Sequence, residues 1–179
     1  MDIFEHQYPV TEVSIRLQIA WRQIEFARNY TLTLLEGLSE ADWFWSPSNF
    51  PTHIAWQVGH LAMSQYGLTL FRQRGRAEND GELMSGRFRK LFMRGTVPST
   101  DRSAYPTSLE ILEVLNRVHA QMRSELPAYD SADLDAPLDA PHAAYATRYG
   151  ALLFAADHEM LHAGQIGMLR RLMGKAPLR

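Results

Sequence analysis

The chain has 179 residues, 46% of them hydrophobic, a length and composition that suit one domain, 1–179, with a core needing no disulfide or obligatory metal staple. A formal charge of −2 with both signs interspersed argues against a nucleic-acid partner, and the absence of Cys removes disulfides, thiolate metal sites and cysteine nucleophiles. No stretch approaches the ~20 apolar residues of a membrane span, and Met1 to Gln7 has neither a basic nor an apolar signal region, so the expectation is a soluble, cytoplasmic protein with no membrane association.

Val13, Leu17, Ala20, Ile24, Ala27, Leu34 and Leu38 recur at steps of three, four and seven, which predicts an amphipathic first helix from Thr11 to Leu38. Ser46-Pro-Ser-Asn-Phe-Pro-Thr52 breaks that helix and restarts another, predicted from Thr52 to Arg74. Glycines, charges and Pro98 interrupt any long period between Gly75 and Tyr105. This segment reads as a connection crossing the molecule, with a short helix from Phe88 to Met93. Thr107-Ser-Leu-Glu110 is a capping box, in which hydroxyl and carboxylate satisfy orphan backbone donors, and it opens a third helix that runs to Leu126 before Pro127. Asp130 to His142 reads as a surface loop. A fourth helix is predicted from Thr147 to Met173, with Gly174 as its C-cap and Pro177 beyond. No period-two strand pattern is evident, so the fold class is all-α, a four-helix bundle with long crossover connections, in which sites are built from facing helices.

His158 and His162 stand one helical turn apart in the fourth helix, so both imidazoles project from one face and can share a metal ion. With Gln165, Ala151 and Leu169 they fall within about 60° on a helical wheel, amid apolar neighbours. Imidazoles buried there need hydrogen-bond partners or a metal. A hydrogen-bonded pair of core histidines is the alternative, and the pairing beside Gln165 favours the metal. His60, on the second helix with Trp56, Gln57 and Met63 in its sector, is the candidate third ligand. A satisfied core histidine is equally consistent with that helix taken alone. Three imidazoles leave a tetrahedral ion one open position, the mark of a catalytic site.

The remaining histidines fit other roles. His53 suits the pocket mouth or a partner behind the ligands, and His119 follows the core stripe of the third helix without a companion at ligand spacing. His6 and His142 read as terminal and loop surface residues. His158-Glu-Met-Leu-His162 matches the H-E-x-x-H protease pattern, but the tail after His162 offers no His, Asp or Glu as third ligand, which disfavours proteolysis. Glu159 then reads as a solvated or interhelical carboxylate bordering the site. Ala156, Met160, Ala163, Gly164 and Gly167 form a face of mostly small residues that admits close approach by the crossover segment or by a symmetry-related chain, whence an expectation of a homodimer. The basic cluster Arg72, Arg74, Arg76, Arg87, Arg89 and Lys90 reads as a solvated face, with an anion-holding role as the minority alternative.

Trp56 to His60, His158-x3-His162-Ala-Gly-Gln165 and Leu169-Arg-Arg-Leu-Met-Gly174 together resemble the DinB/YfiT-like superfamily of metal-dependent bacterial proteins over nearly the whole chain. The resemblance implies a four-helix bundle with His60, His158 and His162 as ligands of a divalent metal. Zinc is the first expectation and nickel the second. It further implies a thiol-dependent S-transferase that acts on electrophilic small molecules and uses a low-molecular-weight thiol such as mycothiol or bacillithiol as cosubstrate. A metal-containing binding or stress-response protein without turnover and a metal-dependent hydrolase are the alternatives.

Overall fold

A computed structural model describes residues 12–48 and 50–176. Helix α1 (Glu12–Leu35) buries Leu17, Ala20, Ile24, Ala27 and Leu34 along one stripe. It stops short of the expected Leu38 because Gly37 takes a left-handed φ of 69° and turns the chain. Arg170 covers the exposed helix end, donating from Nη1 to the Leu34 and Glu36 carbonyls at 2.7 and 3.0 Å. A short helix α2 (Glu40–Phe44) follows, opened by a Ser39/Asp42 capping box.

The second predicted helix is present but not uniform. Helix α3 (Ile54–Gln65) passes into a π-helical segment (Tyr66–Phe71) and then α4 (Arg72–Arg74). Side chains enter the backbone ladder there: the Thr69 hydroxyl donates to the Gln65 carbonyl at 2.8 Å, and the Gln73 amide donates to Leu68 and Arg148 carbonyls at 2.9 and 3.0 Å. The crossover contains α5 (Asp80–Leu83) and α6 (Gly86–Phe92), the latter close to the predicted short helix. Helix α7 (Ser108–Glu125) starts at the predicted Thr107/Glu110 box, and a 3₁₀ turn carries Pro127.

A one-turn helix α8 (Ser131–Leu134) precedes the main departure from expectation. Strands β1 (Pro137–His142) and β2 (Tyr145–Thr147) pair antiparallel where a surface loop and no strand were predicted. The hairpin is held by tertiary contacts that carry no period: Arg72 donates to the Ala140 carbonyl at 3.1 Å and sets its guanidinium 5.3 Å over the Tyr145 ring. Helix α9 (Arg148–Leu172) begins at Thr147, whose hydroxyl accepts from the Gly150 amide, and ends before Gly174 at φ 75°.

Helix α1 packs along α9, α3 packs along α7, and α3 also meets α9, which closes the four-helix bundle. The small-residue side of α9 is covered in part, by α1, while Met160 and Gly164 on it are exposed. Ala156 and Ala163 are buried, and a Cβ at Gly167 would stand 3.8 Å from Leu34. Among the described residues no helix is long and apolar enough to cross a membrane.

One buried polar network joins the four helices. The Arg28 guanidinium of α1, 1% exposed, contacts the Glu159 carboxylate of α9 at 2.7 and 3.2 Å. It also donates to the Gln65 side chain of α3 at 2.8 Å and to the Leu115 carbonyl of α7 at 3.2 Å. Gln65 continues to His119 at 3.0 Å, and His119 to Glu25 at 3.0 Å. Removing one member of a buried ion pair leaves the other uncompensated. Arg28→Met is therefore expected to cost about 3–5 kcal/mol, and the double variant Arg28→Met/Glu159→Met to recover much of that loss, as read by urea denaturation.

Candidate metal centre

His60, His158 and His162 converge, with one ligand nitrogen from each lying within 4.8 Å of the others. Their ring centroids are 4.6 to 5.3 Å apart. The cluster draws one ring from α3 and two from successive turns of α9: the one-turn spacing predicts the pair on α9, and the nominated His60 joins it. It is the only such group of His and carboxylate ligands among the described residues.

The groups behind these rings determine which nitrogens face inward. His60 Nδ1 donates to the Phe92 carbonyl at 2.7 Å, and His162 Nδ1 bonds the Gln57 side-chain oxygen. The Gln57 amide nitrogen donates in turn to Thr52 Oγ1 at 2.7 Å, which orients its oxygen toward His162. With Nδ1 protonated on both rings, each Nε2 keeps its lone pair. The Ser64 hydroxyl lies 3.3 Å from His60 Nε2. Trp56 stacks on His60 with centroids 4.8 Å apart and planes 6° apart, and its indole N–H is held by Thr96 Oγ1 at 3.0 Å. This chemistry fits a divalent cation: three neutral imidazoles, two of them with fixed tautomers, offer nitrogen lone pairs to one point.

Gly59 explains how the Phe92 carbonyl reaches His60. A Cβ at Gly59 would sit 2.4 Å from the Phe92 ring, so only glycine lets α6 lie this close to α3. Phe92 itself is fully buried.

Burial lowers the proton affinity of the cluster. Desolvation, with the neighbouring imidazoles adding, takes His158 to about 4 and His162 to about 3, and desolvation also lowers His60. His53, 1% exposed, is held near 4 for the same first reason. It is neither a pocket-mouth residue nor a partner of the ligands. Its Nδ1 accepts from the Trp56 amide at 3.1 Å and so caps α3, while its ring packs on Phe44 and Tyr105.

Glu159 is the interhelical carboxylate expected, 3% exposed and engaged through both oxygens by Arg28, which leaves it no role as a base for hydrolysis. His119 is likewise occupied in that network. Gln165 is exposed, so it does not face the core beside the ligands as the wheel suggested. Within the basic cluster, Arg74 is paired with Asp80 and Glu125, and Arg72 holds the hairpin. Reasoning from sequence missed the supporting roles of Gln57 and the Phe92 carbonyl. It also missed His142, whose ring lies 5.5 Å from Phe154 and not in a remote loop. The one available signal was Gln57 in the wheel sector of His60.

Two outcomes follow for the metal-free protein. Each of the four histidines binds its proton less readily in the fold than in the unfolded chain, where the value is near 6.5. The unfolded state therefore takes up more protons in this window, and the stability present above about pH 6.5 is withdrawn as pH falls toward 4. Urea midpoints of chelator-treated protein should drop steeply across that range, and less steeply in His162→Asn. Gly59→Ala should lower stability by about 1–3 kcal/mol, the scale of overpacking, on the same measurement.

Comparison with known proteins agrees with this architecture. No curated protein matches the sequence. A crystal structure of a conserved protein from Enterococcus faecalis superposes with a TM-score of 0.68 at 18% identity, covering 88% of this chain and 97% of the other, which is a likeness of fold. The family profile of the DinB superfamily matches residues 23–166, from the middle of α1 through both histidines of α9. With that span matched and the bundle in place, the chain belongs to the DinB superfamily.

Proposed function

We propose that the chain is a metal-dependent enzyme in which His60, His158 and His162 hold a divalent ion, zinc first and nickel second, and that it transfers a low-molecular-weight thiol to an electrophilic small molecule. The observation that carries the metal reading is the convergence of three neutral imidazoles whose ligand nitrogens lie within 4.8 Å. The thiol reading adds the chemistry of an open three-imidazole site to the resemblance carried by the His60 and His158-x3-His162 segments.

His60, His158 and His162 would hold the ion, which would supply a positive charge that lowers the pKa of a nearby thiol and makes its sulfur nucleophilic at neutral pH. The protein's own residues supply the rest. Gln57 and the Phe92 carbonyl fix the tautomers of His162 and His60, and Trp56 covers the His60 ring against water. The chain has no Cys, so the thiol comes from solution. The new S–C bond forms from the sulfur lone pair, the leaving group departs with its bonding electrons, and the thiol proton passes to solvent.

Elemental analysis of protein purified without added nickel tests the metal reading. About one zinc or similar ion per chain is expected, lost in His60→Ala with helical circular dichroism retained; equal metal content in both proteins would remove this ligand set. Gln57→Leu should weaken metal affinity about 10–100-fold, since it frees the His162 tautomer. A screen of bacillithiol, mycothiol and coenzyme A with 1-chloro-2,4-dinitrobenzene then tests the transfer. Thiol consumption that requires metal supports it, whereas turnover without thiol or no turnover at all would replace it with hydrolysis or binding.

A further inference from the structure

The three-histidine cluster is not closed equally on all sides. His60 and His162 are buried at 6% and 8% exposure, while His158 is only half-buried, so the approach from solvent lies on its side. The next ring on that side is Phe154, one turn earlier in α9, with its centroid 5.8 Å from that of His158. Phe154 also meets His142 at 5.5 Å and Tyr145 at 5.2 Å. His142 and His158 therefore stand one phenyl ring apart, at a separation that a small molecule can span.

The hairpin presents His142 in a defined state. Its ring stacks on Tyr145, with centroids 4.9 Å apart and planes 17° apart. The Ala144 amide donates to His142 Nδ1 at 3.2 Å. A ring nitrogen that accepts carries no proton, so the neutral imidazole bears its hydrogen on Nε2 and is a donor there. Among the described residues no acceptor takes that hydrogen.

The platform beneath it is fixed at both ends. Arg72 grips β1 and the Tyr145 ring. Buried Tyr145 sits so close to α9 that a Cβ at Gly150 would be 3.0 Å from its own Cβ.

We propose that His142 is the specificity-determining residue of the three-histidine site, its Nε2–H binding a carboxylate or carbonyl oxygen of a ligand whose unsaturated portion lies on Phe154. This rests on the metal and thiol reading above. It adds the class of molecule: a planar, apolar group with an oxygen acceptor at its far end.

The test uses the full chain loaded with cobalt(II) and two thiols that differ only in the acceptor, benzyl mercaptan and 4-(mercaptomethyl)benzoate. The rigid para carboxylate cannot chelate the ion that its own sulfur binds. Titration of the sulfur-to-cobalt charge-transfer band should show the carboxylate thiol binding about tenfold tighter. His142→Phe keeps a ring against Tyr145 and Phe154 but has no donor. It should abolish that preference while leaving benzyl mercaptan affinity within about twofold, and His142→Gln should restore part of the preference. Equal affinities in the native protein, a preference that survives His142→Phe, or a parallel loss for both thiols would overturn the assignment, the last because it marks a merely structural hairpin. Failure to take up cobalt, or cobalt uptake without binding of benzyl mercaptan, would instead overturn the underlying site reading and this inference with it.

Discussion

The guanidinium of Arg28 is the constraint around which the bundle is arranged. A cation 1% exposed is tolerable only if its charge is matched and its donors are used, and here one carboxylate, one amide and one backbone carbonyl from three other helices do so. Hydrogen bonds are directional in a way that apolar packing is not. The network therefore sets how α9 is rotated about its own axis and how α3 and α7 stand beside it. Glu159 lies between the two histidines of α9 in sequence, so fixing Glu159 toward Arg28 fixes where His158 and His162 project.

That rotation explains an error in the helical wheel. Counting apolar positions alone puts the centre of the buried face of α9 among His158, His162 and Gln165. The buried stripe in fact runs through Ala155, Glu159, His162, Ala163, Ile166 and Arg170, two of which are charged. Hydrophobic periodicity counts such residues as solvent-facing, because it cannot see that Arg28 pairs with Glu159 or that the last carbonyls of α1 accept from Arg170. With the stripe displaced, Gln165 turns outward and His158 falls at its edge, which is what leaves the cluster approachable on one side.

The supports of the cluster are long-range in the same sense. Phe92 belongs to the crossover, and its carbonyl reaches His60 only because Gly59 has no side chain to hold the Phe92 ring away. Gln57 serves His162 across the interface between α3 and α9. The result is a site whose ligands lie on rigid helices and whose tautomers are set by residues from other segments, the arrangement that a preorganised metal centre needs.

The four principal helices were legible from sequence because their signals are local: the spacing of Leu17, Ala20, Ile24 and Ala27, the Thr107/Glu110 box, and Gly174 after α9. The His158/His162 pair was legible for the same reason, since one helical turn determines which side chains are neighbours. His60 could be nominated but not joined to them. Only the tertiary structure decided that junction, along with the burial of Arg28, the α1 partner of α9, the capping role of His53, and the hairpin that brings His142 to Phe154. Each depends on contacts between residues far apart in the chain. Periodicity and caps report the conformation of a segment and the face it buries, whereas the identity of the group that meets that face is settled only when the segments pack.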